Sequence, residues 1–190
     1  APSALIEISA QAQLYPYSQR DNPLTYSFWS KMQNHESSGY ILSKYKHHSS
    51  SESHFFVHYG PSNFLVTGKG SDVFDPDHQL SVGDWNHAVV VYYGKTGEAE
   101  IWSNSNYLGK SFVTLNTATS SSITFKLGSV GYQSPEAPQL TMVSLDDVRI
   151  YDRALSANEV AELYQMESAL PAGSVTLDKL APELSDLLDG

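Results

Sequence analysis

The sequence predicts an all-β domain, a sandwich or a closed barrel of short antiparallel strands. Apolar and polar residues alternate in one short run after another, the period-two pattern of half-buried strands. Turn formers punctuate these runs at intervals of about 8 to 12 residues, the spacing of sandwich strands. Only one stretch switches to a helical period, and it brings its own cap.

In chain order, "LTYSFWSKM" (24–32) puts Leu24, Tyr26 and Phe28 on one face and Thr25, Ser27 and Trp29 on the other. "HFFVHY" and "NFLVTG" flank Gly60-Pro61-Ser62 and read as a hairpin. "HAVVVYY" (87–93) and "EAEIWSN" (98–104) flank "GKTG" and read as a second. "SFVTLN" (111–116), "SITFKLGS" (122–129) and "TMVSLDDVRIY" (141–151) follow as strands. The helix begins at Ser156-Ala-Asn-Glu159, a capping box in which the Ser hydroxyl and the Glu carboxylate each satisfy the other's backbone N–H. Val160, Leu163 and Tyr164 then form a narrow apolar stripe.

A chain of 190 residues suits one domain, here assigned to 1–166, with 167–190 as a linker or short amphipathic tail. Leu177, Leu180, Leu184 and Leu187 give that tail an a/d spacing, so residues 175–189 are a candidate for homo-oligomer formation. The absence of cysteine rules out disulfides and thiolate metal sites. A net charge of −10 repels phosphate backbones and argues against nucleic acid as a partner. No apolar run is long enough to cross a membrane as a helix. Opening at Ala1 without a leader, the chain reads as a piece of a longer protein.

Three segments carry a family resemblance. "GDWNHAVVVYYGKTGEAEIWSNSNYLG" (83–109) resembles the hairpin pair of the laminin-G-like, concanavalin A-like jelly rolls. "LTYSFWSK" (24–31), followed by "GYILSKY" (39–45), is similar to their early core strands. "SLDDVRIYDRALSANEVAELY" (144–164) is similar to their closing strand and helix. One departure stands out: the Asp-Gly or Asn-Gly turn after the aromatic strand is replaced by "SNSN" (103–106). The resemblance implies a two-sheet antiparallel jelly-roll sandwich with one short C-terminal helix. It also implies an extracellular or cell-surface setting and binding of glycans or proteins, commonly with a structural calcium. A minority of that superfamily degrade polysaccharides.

Candidate ligand and metal residues follow. Alternation places Asp146 on the inward face with Val148 and Ile150, and Asp147 outward where it can pair with Arg149. An inward carboxylate needs donors or an ion, so Asp146 is read as hydrogen-bonded to loop amides or as a calcium ligand. Asp75 and Asp77 in "GSDVFDPDHQ" are a second calcium candidate beside a plain turn reading. His87 is expected to be a satisfied core or rim histidine, and Trp29 and Trp85 to be buried. Aromatic and imidazole side chains on loops or polar faces suit sugar recognition, which nominates Tyr45, His47, His58, Tyr107 and Tyr132.

No acid pair or lyase constellation marks an active site. Glu98 and Glu100 share a face at a hairpin edge and come nearest to one. The expected function is a non-catalytic extracellular module that recognises glycan, within a larger secreted or surface protein. A protein-interaction or adhesion module that oligomerises through its tail is the alternative, and a polysaccharide hydrolase or lyase the second.

Overall fold

Alternation along β2 (Leu24–Met32) decides which side of its sheet becomes core. Leu24, Tyr26 and Phe28 are fully buried in the main apolar cluster, while Thr25 and Ser27 point the other way. A computed structural model of the chain describes residues 6–8, 20–32, 39–44, 55–59, 64–67, 73–74, 81–113, 125–128 and 143–168.

The remaining strands are β1 (Ile6–Ile8), β3 (Gly39–Lys44), β4 (Phe55–Tyr59), β5 (Phe64–Thr67), β6 (Val73–Phe74), β7 (Trp85–Tyr93), β8 (Glu98–Ser103), β9 (Asn106–Phe112), β10 (Phe125–Leu127) and β11 (Val143–Tyr151). They form a six-stranded sheet, β1-β10-β3-β4-β5-β6, and a five-stranded sheet, β11-β2-β7-β8-β9. Every pairing is antiparallel. By compactness the chain falls into two units, Ala1–Leu155 with both sheets and Ser156–Gly190 with helix α1 (Ala157–Ser168). The expected two-sheet antiparallel jelly roll with a single short helix is present.

The core lies between the sheets. Tyr26 and Tyr92 from the five-stranded sheet meet Phe55 and Phe125 from the other, with Tyr26 stacked on Phe55 at 5.3 Å and on Phe125 at 6.1 Å. Each such ring, fully buried, contributes about 1.5–3 kcal/mol. On β7 the core-facing set is Ala88, Val90 and Tyr92, so His87, Val89 and Val91 lie on the opposite side of the sheet.

Turn chemistry fixes the hairpins. Between β7 and β8, Gly97 sits at φ +67 and donates its N–H to Tyr93 O at 2.9 Å. A Cβ there would approach Val113 O to 3.2 Å, so both the positive φ and the close contact favour glycine. Between β8 and β9, Asn104 and Ser105 both have positive φ, 48° and 65°, the signature of a two-residue I′ turn. "SNSN" therefore does the work of Asn-Gly. The Asn104 side chain accepts from His87 N–H at 2.9 Å and donates to Asn86 Oδ1 at 3.3 Å, which offsets the strain. This turn also starts β9 at Asn106, five residues before the expected strand at 111.

The two aspartates of β11 correct the reading of Asp146. Asp146 pairs with Trp29 and Arg149 with Ser27, so Asp147 and Val148 together oppose Phe28: a bulge. Asp147 sits at φ +45, and its N–H is held by Asp146 Oδ1 at 2.9 Å. The extra residue resets the alternation, letting Leu145 and Val148 both pack on the core. Asp146 is exposed, not inward. Its carboxylate caps a kinked edge strand, and Asp147 faces Arg149 at 3.5 Å.

Candidate ligand-binding site

Of the nominated ligand residues, His58 and Tyr107 are described; Tyr45, His47 and Tyr132 lie outside the described residues, as do Asp75, Asp77 and the tail segment 175–189. His58, on β4, alternates with core-facing Phe55 and Val57 and packs its ring on Tyr40 at 4.8 Å. Burial lowers its imidazole to about 4, so it is neutral at pH 7. Tyr107 stands on β9, the edge of the other sheet. The two belong to opposite outer faces of the sandwich and do not form one site.

Tyr107 does have neighbours on its own face of the sheet. Register across the outward face of β7, β8 and β9 gives three rungs: Val89, Trp102 and Tyr107; Val91, Glu100 and Lys110; Tyr93, Glu98 and Phe112. A bulge between Ile101 and Trp102 at the β8–β9 pairing brings Tyr107 opposite Trp102, with ring centroids 5.1 Å apart. Val89 and Val91 are buried, and exposure grows toward the edge: Tyr107 is 54% exposed and Phe112 73%.

Polar groups fill the middle of the face. Tyr93 Oη donates to Glu100 Oε2 at 3.2 Å, and Lys110 Nζ donates to Glu98 Oε1 at 2.9 Å. Thr96 Oγ1 donates to Glu98 Oε2 at 3.0 Å. The Lys110 ammonium, then the Thr96 hydroxyl, hold the Glu98 carboxyl below its usual range. Burial, then the Glu100 charge, pushes the Tyr93 phenol up to about 12. Partial burial and the same carboxylate push the Tyr107 phenol up as well. A glycosidase pairs an acid kept protonated near neutral pH with an ionised carboxylate, and the shift of Glu98 is away from the acid role.

Sequence reasoning nominated Tyr107, noted Glu98 and Glu100, and did not single out Trp102, Lys110 and Phe112, which the structure places on the same face. The missing signal was register: period two shows Glu98, Glu100 and Trp102 on one face of β8, but not which β9 residues stand opposite. Trp85, expected to be buried, is 39% exposed at the start of β7.

Ser27 Oγ and His87 Nε2 are 2.9 Å apart, a nucleophile–base geometry, but Ser27 has no exposed surface and no substrate can reach it. Burial, then nearby Arg149, lowers His87 to about 4, and the pair serves as a buried hydrogen bond. Among the described residues no three His, Cys, Asp or Glu side chains are placed to share a metal ion, and Asp146 spends one oxygen on the Asp147 amide. No helix among the described residues is long and apolar enough to cross a membrane.

An antiparallel two-sheet jelly roll whose closing strand leads into a capped helix defines a lectin-like class. The chain belongs to the concanavalin A-like lectin/glucanases superfamily, a laminin G family model of which matches residues 7–161. No curated protein matches it in sequence. Among solved structures it is similar to a native heptameric SAP-like pentraxin from Limulus polyphemus, at 17% identity and a TM-score of 0.58 over 84% of this chain and 80% of that one. It is also similar to a protein from Bacteroides ovatus described as carbohydrate-binding, at 14% identity and a TM-score of 0.62 over 83% of this chain. A third is the botulinum neurotoxin serotype G binding domain, at 16% identity and a TM-score of 0.62 over 85% of this chain. The chain spans 43% and 40% of those last two, less than half their length. At such identities the likeness establishes the fold and no more.

Proposed function

We propose that the protein is a non-catalytic carbohydrate-binding module, part of a secreted or surface protein, and that it binds through the outward face of β8 and β9. The observation that carries this reading is the exposed Tyr107 ring beside Trp102, with the Glu100 carboxylate one rung away. A flat ring covers the apolar face of a pyranose, and an adjacent carboxylate accepts from its hydroxyls. Glu100 is suited to the second task because Tyr93 already orients it. The superfamily and the carbohydrate-binding description of one structural neighbour support the same direction.

The test is an oligosaccharide array followed by calorimetry, with wild type and Tyr107→Ala compared. Loss of an aromatic platform at an exposed site costs about 1–3 kcal/mol, so binding should weaken by about fivefold or more. Binding that survives Tyr107→Ala unchanged moves the site elsewhere and sinks this reading.

A further inference from the structure

The rungs of β8 and β9 carry a statement about the kind of saccharide, which rests on the carbohydrate reading above. Tyr107 and Phe112 stand opposite Trp102 and Glu98 on β8, four residues apart. At a strand rise of about 3.3 Å per residue, the rungs that carry the two exposed rings are about 13 Å apart. That is too far for one pyranose to touch both, and a length several linked rings can span. Between them lies the rung of Glu100 and Lys110, polar and partly exposed. Aromatic, polar, aromatic is the order an extended sugar chain needs, with rings stacked at its ends and hydroxyls held in the middle.

Charge narrows the class further. Two carboxylates, Glu98 and Glu100, face one ammonium, Lys110, and Lys110 is already engaged by Glu98. The face is net negative in a chain of net charge −10. Among the described residues Glu100 meets a single donor, the Tyr93 hydroxyl, and keeps acceptor capacity for ligand hydroxyls. A uronate or sialyl carboxylate brought onto this rung meets Glu100, and the one ammonium described on this face, Lys110, is already paired with Glu98.

We propose that the β8–β9 face binds an extended oligosaccharide without acidic groups, lying along β9 with one sugar ring on Tyr107 and another on Phe112. Exposed Phe112, which has no core role, is then an affinity-determining residue for long ligands only.

The experiment uses the full chain with two- and six-residue cello-, xylo-, manno- and galacto-oligosaccharides, oligogalacturonate and sialyllactose. Wild type, Phe112→Ala, Glu100→Gln and Tyr107→Ala are compared by calorimetry. The expected result is a neutral hexamer bound at least tenfold tighter than its dimer, an advantage that Phe112→Ala erases while dimer affinity stays unchanged. Acidic ligands should not bind wild type, and Glu100→Gln should admit them weakly. Equal affinity for dimer and hexamer, insensitive to Phe112→Ala, overturns the extended-ligand proposal while leaving the carbohydrate reading intact. Acidic ligands binding as well as neutral ones overturn the charge selection alone. If no saccharide binds wild type, or binding ignores Tyr107→Ala, the carbohydrate reading itself fails and this proposal falls with it.

Discussion

Ser27 Oγ and His87 Nε2 lie 2.9 Å apart across the β2–β7 pairing, with the Trp29 ring 5.2 Å from the imidazole. Both groups are out of reach of solvent, Ser27 at 0% and His87 at 1% exposure. Their bond is therefore a stability device. Ser27→Ala strips Nε2 of that bond in a buried place and should cost about 1–3 kcal/mol, read as a lower urea midpoint at unchanged slope. Saccharide affinity should not move. A loss of binding without a loss of stability would make Ser27 part of the recognition surface.

The same histidine sets a pH dependence. Burial holds His87 and His58 at about 4 in the folded chain, against an ordinary 6.5. Between those values the unfolded chain takes up protons that the folded chain refuses, so stability rises with pH through the window. It is complete above about 6.5 and is lost as pH falls toward 4. The slope is at most about 1.4 kcal/mol per pH unit for each imidazole, less for His58, which is the less buried of the two. Chemical denaturation at pH 7, 5.5 and 4.5 should show this decline, and His87→Gln should flatten it. Identical slopes for variant and wild type would place the acid sensitivity elsewhere.

How much of this was legible depends on the range of each interaction. The capping box, the "GKTG" hairpin and the faces of β2 were readable because each is settled within a few residues of sequence. Asp146 was misread because alternation assumes an unbroken strand, and the bulge at Asp147 shifts the phase by one residue. Phe112 was passed over for a related reason. Its importance comes from standing opposite Glu98, a register set by the Asn104–Ser105 turn and a second bulge, neither of which period two reveals. The fold was written in local pattern, and the site in offsets between strands.

Asp147 tests the bulge. A β-branched residue at φ +45 is strained by about 1–2 kcal/mol, whereas Asn or Gly is tolerated there. Asp147→Val should therefore lower the melting temperature by several degrees, and Asp147→Asn should leave it nearly unchanged. Equal losses for both would mean that the ion pair with Arg149, at 3.5 Å, matters more than the backbone.

The cap of α1 makes a local prediction. Glu159 N–H donates to Ser156 Oγ at 3.3 Å, and Ser156 N–H donates to Glu159 Oε2 at 2.8 Å. Ser156→Ala removes one half of this exchange, about 1 kcal/mol of helix stability. Amide exchange in the first turn of α1 should accelerate roughly fivefold, since about 1.4 kcal/mol corresponds to tenfold. Amides of β2 and β7 should keep their wild-type rates. Unchanged exchange in the first turn would mean that the helix start is held by other contacts.

Tyr93 separates orientation from contact at the proposed carbohydrate face. Its hydroxyl reaches Glu100 Oε2 at 3.2 Å, and burial with the neighbouring carboxylate keeps the phenol protonated to about pH 12. It is therefore a constant donor across the physiological range. Tyr93→Phe keeps the ring, removes the donor and frees Glu100 to rotate. A neutral hydrogen bond made to a charged acceptor contributes about 1.5–3 kcal/mol, but at this partly exposed position water replaces much of it. The melting temperature should then fall by no more than a degree or two. Affinity for a neutral oligosaccharide should fall by about threefold to tenfold, because each ligand hydroxyl must now order a mobile carboxylate. Glu100→Gln should match that loss, and the double variant should lose little more than either alone. Fully additive losses would show that Tyr93 meets the ligand itself and is not a positioning residue.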